Sequence, residues 1–161
     1  MIDKSKIRTL TLLDNMISSC IKCPLYTNGR VKPYWTDKSS YVLIGNVESS
    51  DLLWEIMNAH GFTKEQFLII NNVNCKTKDK NSIYIDTCKE WVDIYINTLM
   101  PLRGIIFGNY LHENATIQLI KTNNFNTPLI PLVKSILPKL ASYNDAGRIL
   151  LENSVKKLKL M

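Results

Sequence analysis

The sequence predicts an α/β fold of three layers, with a central, mainly parallel four-stranded sheet between helices. Three observations predict it. The runs Tyr41-Val42-Leu43-Ile44, Phe67-Leu68-Ile69-Ile70 and Gly104-Ile105-Ile106-Phe107 are apolar throughout, as in strands buried on both faces. Segments with apolar residues at helical spacing alternate with them. No repeat, low-complexity stretch or linker interrupts the 161 residues, which suit a single domain over 1–161.

The elements follow in order. Over residues 3–20, Ile7, Leu10, Leu13 and Ile17 share one helical face that ends near Cys20. The stretch from Cys23 to Trp35 reads as loop, with Asn28-Gly29 as a turn. A first strand covers 41–46. Ser49, Ser50 and Asp51 then offer N-caps for a helix running to about His60, stopped by Gly61. A second strand, 67–73, leads through a lysine-rich loop to an amphipathic helix over about 85–99. Its apolar face is Cys88, Trp91, Val92, Tyr95 and Leu99, and Pro101 ends it. A third strand, 104–108, precedes a helix over about 112–122. A fourth strand is expected at 128–132, where Pro128 and Pro131 confine it to a sheet edge. The last helix is expected over 141–158, with Leu151, Val155 and Leu158 on one face.

Composition narrows the function. No apolar run approaches the roughly 20 residues that span a bilayer, and Met-Ile-Asp-Lys-Ser-Lys lacks the apolar core of a signal peptide. The expectation is an intracellular, cytoplasmic protein without a membrane partner. A net charge of +6 favours an anionic partner, nucleic acid among them. Lys76, Lys78 and Lys80 crowd one loop, Lys134 and Lys139 flank another, and Lys156, Lys157 and Lys159 load the tail. Abundant Asn, Ile and Lys also suit an AT-rich genome, such as that of a phage in its host's cytoplasm. That bias raises the lysine count by itself, so a solvated charged loop is the competing explanation.

The four cysteines are Cys20, Cys23, Cys75 and Cys88. A C-x-x-C pair supplies two thiolates from one turn. Cys75 follows the second strand and Cys88 lies early in the next helix, at the carboxyl end of the sheet where α/β proteins place ligands. The first helix must then carry Cys20 and Cys23 to that edge. Four thiolates without a nearby histidine fit zinc or a 4Fe-4S cluster, and the spacing does not separate the two. Burial as four small apolar residues is the alternative.

Three blocks together resemble the family-4 uracil-DNA glycosylases, the iron–sulfur branch of that superfamily. Cys20-Ile21-Lys22-Cys23-Pro24-Leu25 is similar to the family's amino-terminal C-x-x-C-x-L. Strand 67–73, Cys75, the lysine loop, Cys88, Pro101 and Gly104-Ile-Ile-Phe-Gly108 resemble its central stretch in order and character. Leu137-Pro138 and the last helix stand where the family has a His-Pro loop and final helix. The gap between Cys75 and Cys88 is a few residues shorter than usual. The resemblance implies that the four cysteines hold a structural 4Fe-4S cluster near a DNA-binding face, and it tips the choice from zinc to iron–sulfur.

The family's catalytic positions are altered. Base excision requires flipping the base, reading its edge, placing a water and stabilising the departing anion. Of the family's first catalytic loop only Gly45 matches here; Asn46 or Glu48 would have to position the water. Capping explains Asn46, Ser49 and Ser50 without any chemistry. The segment with the stacking aromatic is missing, because Asp51 already begins a helix. Asn71 falls where the base-reading asparagine is expected, and its amide suits a pyrimidine edge. Leu137 replaces the histidine and donates no hydrogen bond to the developing anion. His60 and His112 lie in no matching loop.

The sequence therefore predicts a DNA-binding 4Fe-4S protein with a uracil-DNA glycosylase-like fold and little or no catalysis. It would act as an accessory subunit in DNA replication, transcription or repair, with a protein partner in such a complex. One alternative is an active glycosylase with a rearranged site. Another is a structural subunit of a protein complex.

Overall fold

The computed structural model describes residues 1–71, 73–76, 82–108 and 130–161. Helix α1, Lys4–Ser18, opens where the Asp3 carboxylate accepts the Lys6 N–H at 2.8 Å. After a long loop come strand β1, Tyr41–Ile44, and helix α2, Asp51–Ala59. Strand β2, Phe67–Ile70, helix α3, Ser82–Leu99, and strand β3, Gly104–Phe107, continue the alternation. Strand β4 is Leu132–Ser135, followed by helices α4, Pro138–Ala141, and α5, Asp145–Leu160.

The strands lie in the order β2-β1-β3-β4 and all three pairings are parallel. The pleat sends alternate residues to opposite faces. Val42, Ile44, Leu68, Ile70 and Ile106 pack on one face with α1 and α3. Leu43, Phe67, Ile69, Ile105, Phe107 and Val133 pack on the other with α2 and α5. Two apolar layers around one sheet make the expected three-layer α/β architecture.

Several boundaries differ from expectation for physical reasons. The first strand ends at Ile44 rather than 46, because Gly45 turns the backbone to a φ of +146°. The fourth strand is 132–135; of the expected span 128–132, residues 128 and 129 lie outside the described residues. It begins where the prolines stop, since proline has no N–H for the ladder; the Pro131 carbonyl still accepts the Gly104 N–H at 3.1 Å. The last helical segment is two helices, divided at 142–144, where the Asn144 side chain accepts the Gly147 N–H at 2.8 Å and caps α5. The helix expected at 112–122 lies outside the described residues. Among the described residues, no helix is long and apolar enough to cross a membrane.

A polar knot ties α1 to α3. The fully buried Tyr95 donates its O–H to Asp14 Oδ1 at 2.7 Å, and Trp35 Nε1 donates to the same carboxylate at 3.0 and 3.2 Å. Asp14→Ala strands both donors. We expect it to cost about 2–3 kcal/mol, a fall of roughly 5–10 °C in Tm by calorimetry.

Chain connections reverse direction at β1. The connection through α2 leads to β2 on one side, and α3 returns the chain to β3 on the other side. That reversal leaves a crevice beyond the carboxyl ends of β1 and β3, flanked by Gly45 and Gly108. Gly45 is tightly held, for a Cβ there would stand 3.1 Å from the Phe107 Cβ.

Candidate functional site

The four cysteines, from three separate segments, line one pocket beside the end of β2. Helix α1 ends just before Cys20, and a 3₁₀ turn over Pro24–Asn28 folds the chain back after Cys23. The returning strand is stitched to the segment after β2. Lys76 N–H donates to the Gly29 carbonyl and Val31 N–H to the Asn74 carbonyl, each at 2.8 Å, with Arg30 opposite Cys75. Arg30 also donates from Nε (3.1 Å) and Nη2 (2.6 Å) to the Cys20 carbonyl. A guanidinium thus stays beside the sulfurs. Cys75 and Cys88 are buried, against Leu25 and Val73; Cys20 and Cys23 are half-buried.

The electrostatics follow from this crowding. Burial pushes the Cys75 thiol up to about 11, with Cys23, Cys88 and Cys20 adding to it and Arg30 opposing. Burial also raises Cys88, against a hydrogen bond from the Asn74 backbone. Trp91 Nε1 donates to Cys20 Sγ at 3.4 Å. Asn74, 2% exposed, lines the same pocket, and its side-chain nitrogen and oxygen both lack a partner. An amide buried that way costs about 1–3 kcal/mol unless something satisfies it. Soft sulfur ligands, nearby N–H donors and one unsatisfied amide suit a thiolate-bound metal group. Among the described residues, no three of His, Cys, Asp and Glu are grouped to hold a single metal ion.

The crevice residues are arranged differently. Asn46 is exposed just past Gly45, and Asn71 is half-buried just past β2. The two strand ends are neighbours, since Gly45 N–H donates to the Ile70 carbonyl at 2.9 Å. Glu48 is turned aside. Its carboxylate pairs with Lys64 at 3.1 Å and its carbonyl accepts Trp54 Nε1 at 2.9 Å. Ser50 caps α2 by accepting the Leu53 N–H at 3.2 Å. Leu137 packs against the core layer beneath α2 and α5. His60 caps α2 and lies 3.5 Å from Glu152, joining α2 to α5; His112 lies outside the described residues.

The lysines do not form one patch. Lys76 is exposed beside the cysteine pocket, its stem over Gly29. Lys134 is on β4, opposite Ile106 of β3, and Lys139 is on α4. β4 lies three strand spacings, roughly 14 Å, from β2 across the sheet. Lys78 and Lys80 lie outside the described residues.

Sequence reasoning missed Arg30, Trp91 and Asn74 as surroundings of the cysteines. Trp91 carried a signal, since it lies one helical turn from Cys88 on the same face. Arg30 and Asn74 carried none, because only the folded-back loop brings them in.

A wholly parallel α/β sheet with a reversal crevice and an adjacent four-cysteine pocket defines a class of ligand-binding α/β domain. The family model of the Uracil DNA glycosylase superfamily matches residues 24–158, so the chain belongs to that superfamily. No curated protein matches it.

Proposed function

We propose that this chain is a DNA-binding iron–sulfur member of the superfamily in which uracil excision is lost or weak. It would serve as an accessory subunit in DNA replication, transcription or repair. The carrying observation is Leu137, half-buried against the core at the place of the catalytic histidine in the family-4 resemblance. One missing donor to the developing anion costs ~10²–10³ in rate. Glu48, engaged with Lys64, offers no free base at the crevice.

Cys20, Cys23, Cys75 and Cys88 would hold a 4Fe-4S cluster, which when bound would brace the folded-back loop against β2 and α3. The four thiols share one pocket, and the family-4 resemblance favours a cluster, where each thiolate takes a different iron, over one tetrahedral zinc. Lys76, Lys134 and Lys139, with Lys78 and Lys80, would contact phosphates along the carboxyl edge of the sheet. Phosphate contacts need charge rather than a fixed geometry, so they outlast loss of catalytic groups. Asn71 would hold a base edge through its amide.

A second reading is favoured by the adjacent strand ends that carry Asn46 and Asn71: an active glycosylase in which Asn46 places the water. Single-turnover incubation with uracil-containing DNA separates the two. Under the first reading, DNA affinity falls steeply as salt rises while uracil stays in place. Lys76→Gln is expected to weaken binding to all sequences and to shrink the salt slope by about one. Affinity that stays flat from low to moderate salt would contradict both readings.

A further inference from the structure

The side chain of Asn74 has no role in the fold that its surroundings explain. Its backbone is fully engaged: the carbonyl accepts Val31 N–H, and the N–H bonds Cys88. Its side chain is then held in the cysteine pocket, 2% exposed, with Nδ2 and Oδ1 both without partners. Other buried polar groups near it are paired, Trp91 Nε1 with Cys20 Sγ among them. A buried amide left unpaired beside four sulfurs has one natural complement, an acceptor inside the pocket. A sulfur-rich group supplies acceptors, so Nδ2 is the atom it satisfies.

We propose that Asn74 is a positioning and tuning residue for the thiolate-bound group, its Nδ2–H donating to a sulfur of the bound cluster. The inference rests on the reading of the four cysteines as cluster ligands. Such N–H···S bonds draw negative charge from the sulfur and favour the reduced state. They also resist loss of metal, as outer hydrogen bonds to ligands do elsewhere. Trp91 and the Asn74 backbone would already serve Cys20 and Cys88. The Asn74 side chain would add a donor where burial excludes water.

The test uses anaerobically purified, cluster-loaded full-length protein and the variants Asn74→Leu and Asn74→Ser. Leucine keeps the volume and removes the donor; serine keeps a shorter donor. Relative to wild type, Asn74→Leu is expected to shift the reduction potential to a more negative value. It should also lose iron to a chelator about 10-fold faster, with Asn74→Ser in between. A mere packing role predicts the opposite, because replacing an unpaired buried amide by leucine relieves a cost. Unchanged potential and iron retention in Asn74→Leu would overturn the inference. If that variant does not fold, the same two readings on Asn74→Ser decide it: no change from wild type overturns the proposal. A wild-type protein without iron or sulfide would instead sink the cluster reading, and the inference with it.

Discussion

Replacing Cys75 or Cys88 by serine is expected to empty the proposed iron–sulfur site and to destabilise the loaded protein by more than about 4 kcal/mol. Both are buried, at 7% and 4% exposure, against Leu25 and Val73. A serine there loses the soft ligand and buries a hydroxyl in a pocket built for sulfur. Cys20 and Cys23 are half-buried, so their serine variants should lose iron as fully while folding better without it. Iron content and thermal melts on the four variants check this. If Cys75→Ser keeps its iron, the four-thiolate assignment is wrong. If all four melt like wild type and none binds iron, the cysteines are only small apolar residues.

The second large effect tests the sheet. A Cβ on Gly104 would lie 2.1 Å from the Val42 carbonyl oxygen and 2.5 Å from its Cγ1. Val42 is the β1 residue paired with Gly104, and its N–H donates to the Arg103 carbonyl at 3.1 Å. The Val42 backbone, fixed in the sheet, leaves no room to yield. Gly104→Ala is expected to cost about 3–5 kcal/mol, read by denaturant unfolding. Adding Val42→Ala removes the Cγ1 clash but not the carbonyl one, so it should recover only part of the loss. Wild-type stability in Gly104→Ala would mean that β1 and β3 are not paired in this register.

The parallel sheet was legible because runs such as Phe67–Ile70 are apolar at every position, as only burial on both faces requires. The helix faces were legible for a related reason: Trp91, Val92, Tyr95 and Leu99 keep a 3.6-residue period and are all buried. The fourth strand runs on to Ser135, beyond the expected end at 132, because Val133 and Ser135 continue the ladder with β3 past Pro131, which lacks an N–H. The break at 142–144 was missed because Ser-Tyr-Asn carries no glycine or proline, although Asn144 is a standard cap. The cysteine pocket was half legible. Spacing brought the four thiols to one edge, but Arg30 and Asn74 depend on how a loop folds back onto Cys75, which no local pattern encodes. How the lysines group was not legible, since proximity to strand ends in sequence says nothing about which edge of the sheet each strand occupies.

The most direct test is single-turnover uracil release from single- and double-stranded DNA, with protein in excess and the cluster loaded. Little or no release is expected, while the same preparation binds DNA with a steep salt dependence. Robust release that disappears in Asn71→Ala would contradict this expectation and make the crevice beside Gly45 a working active site.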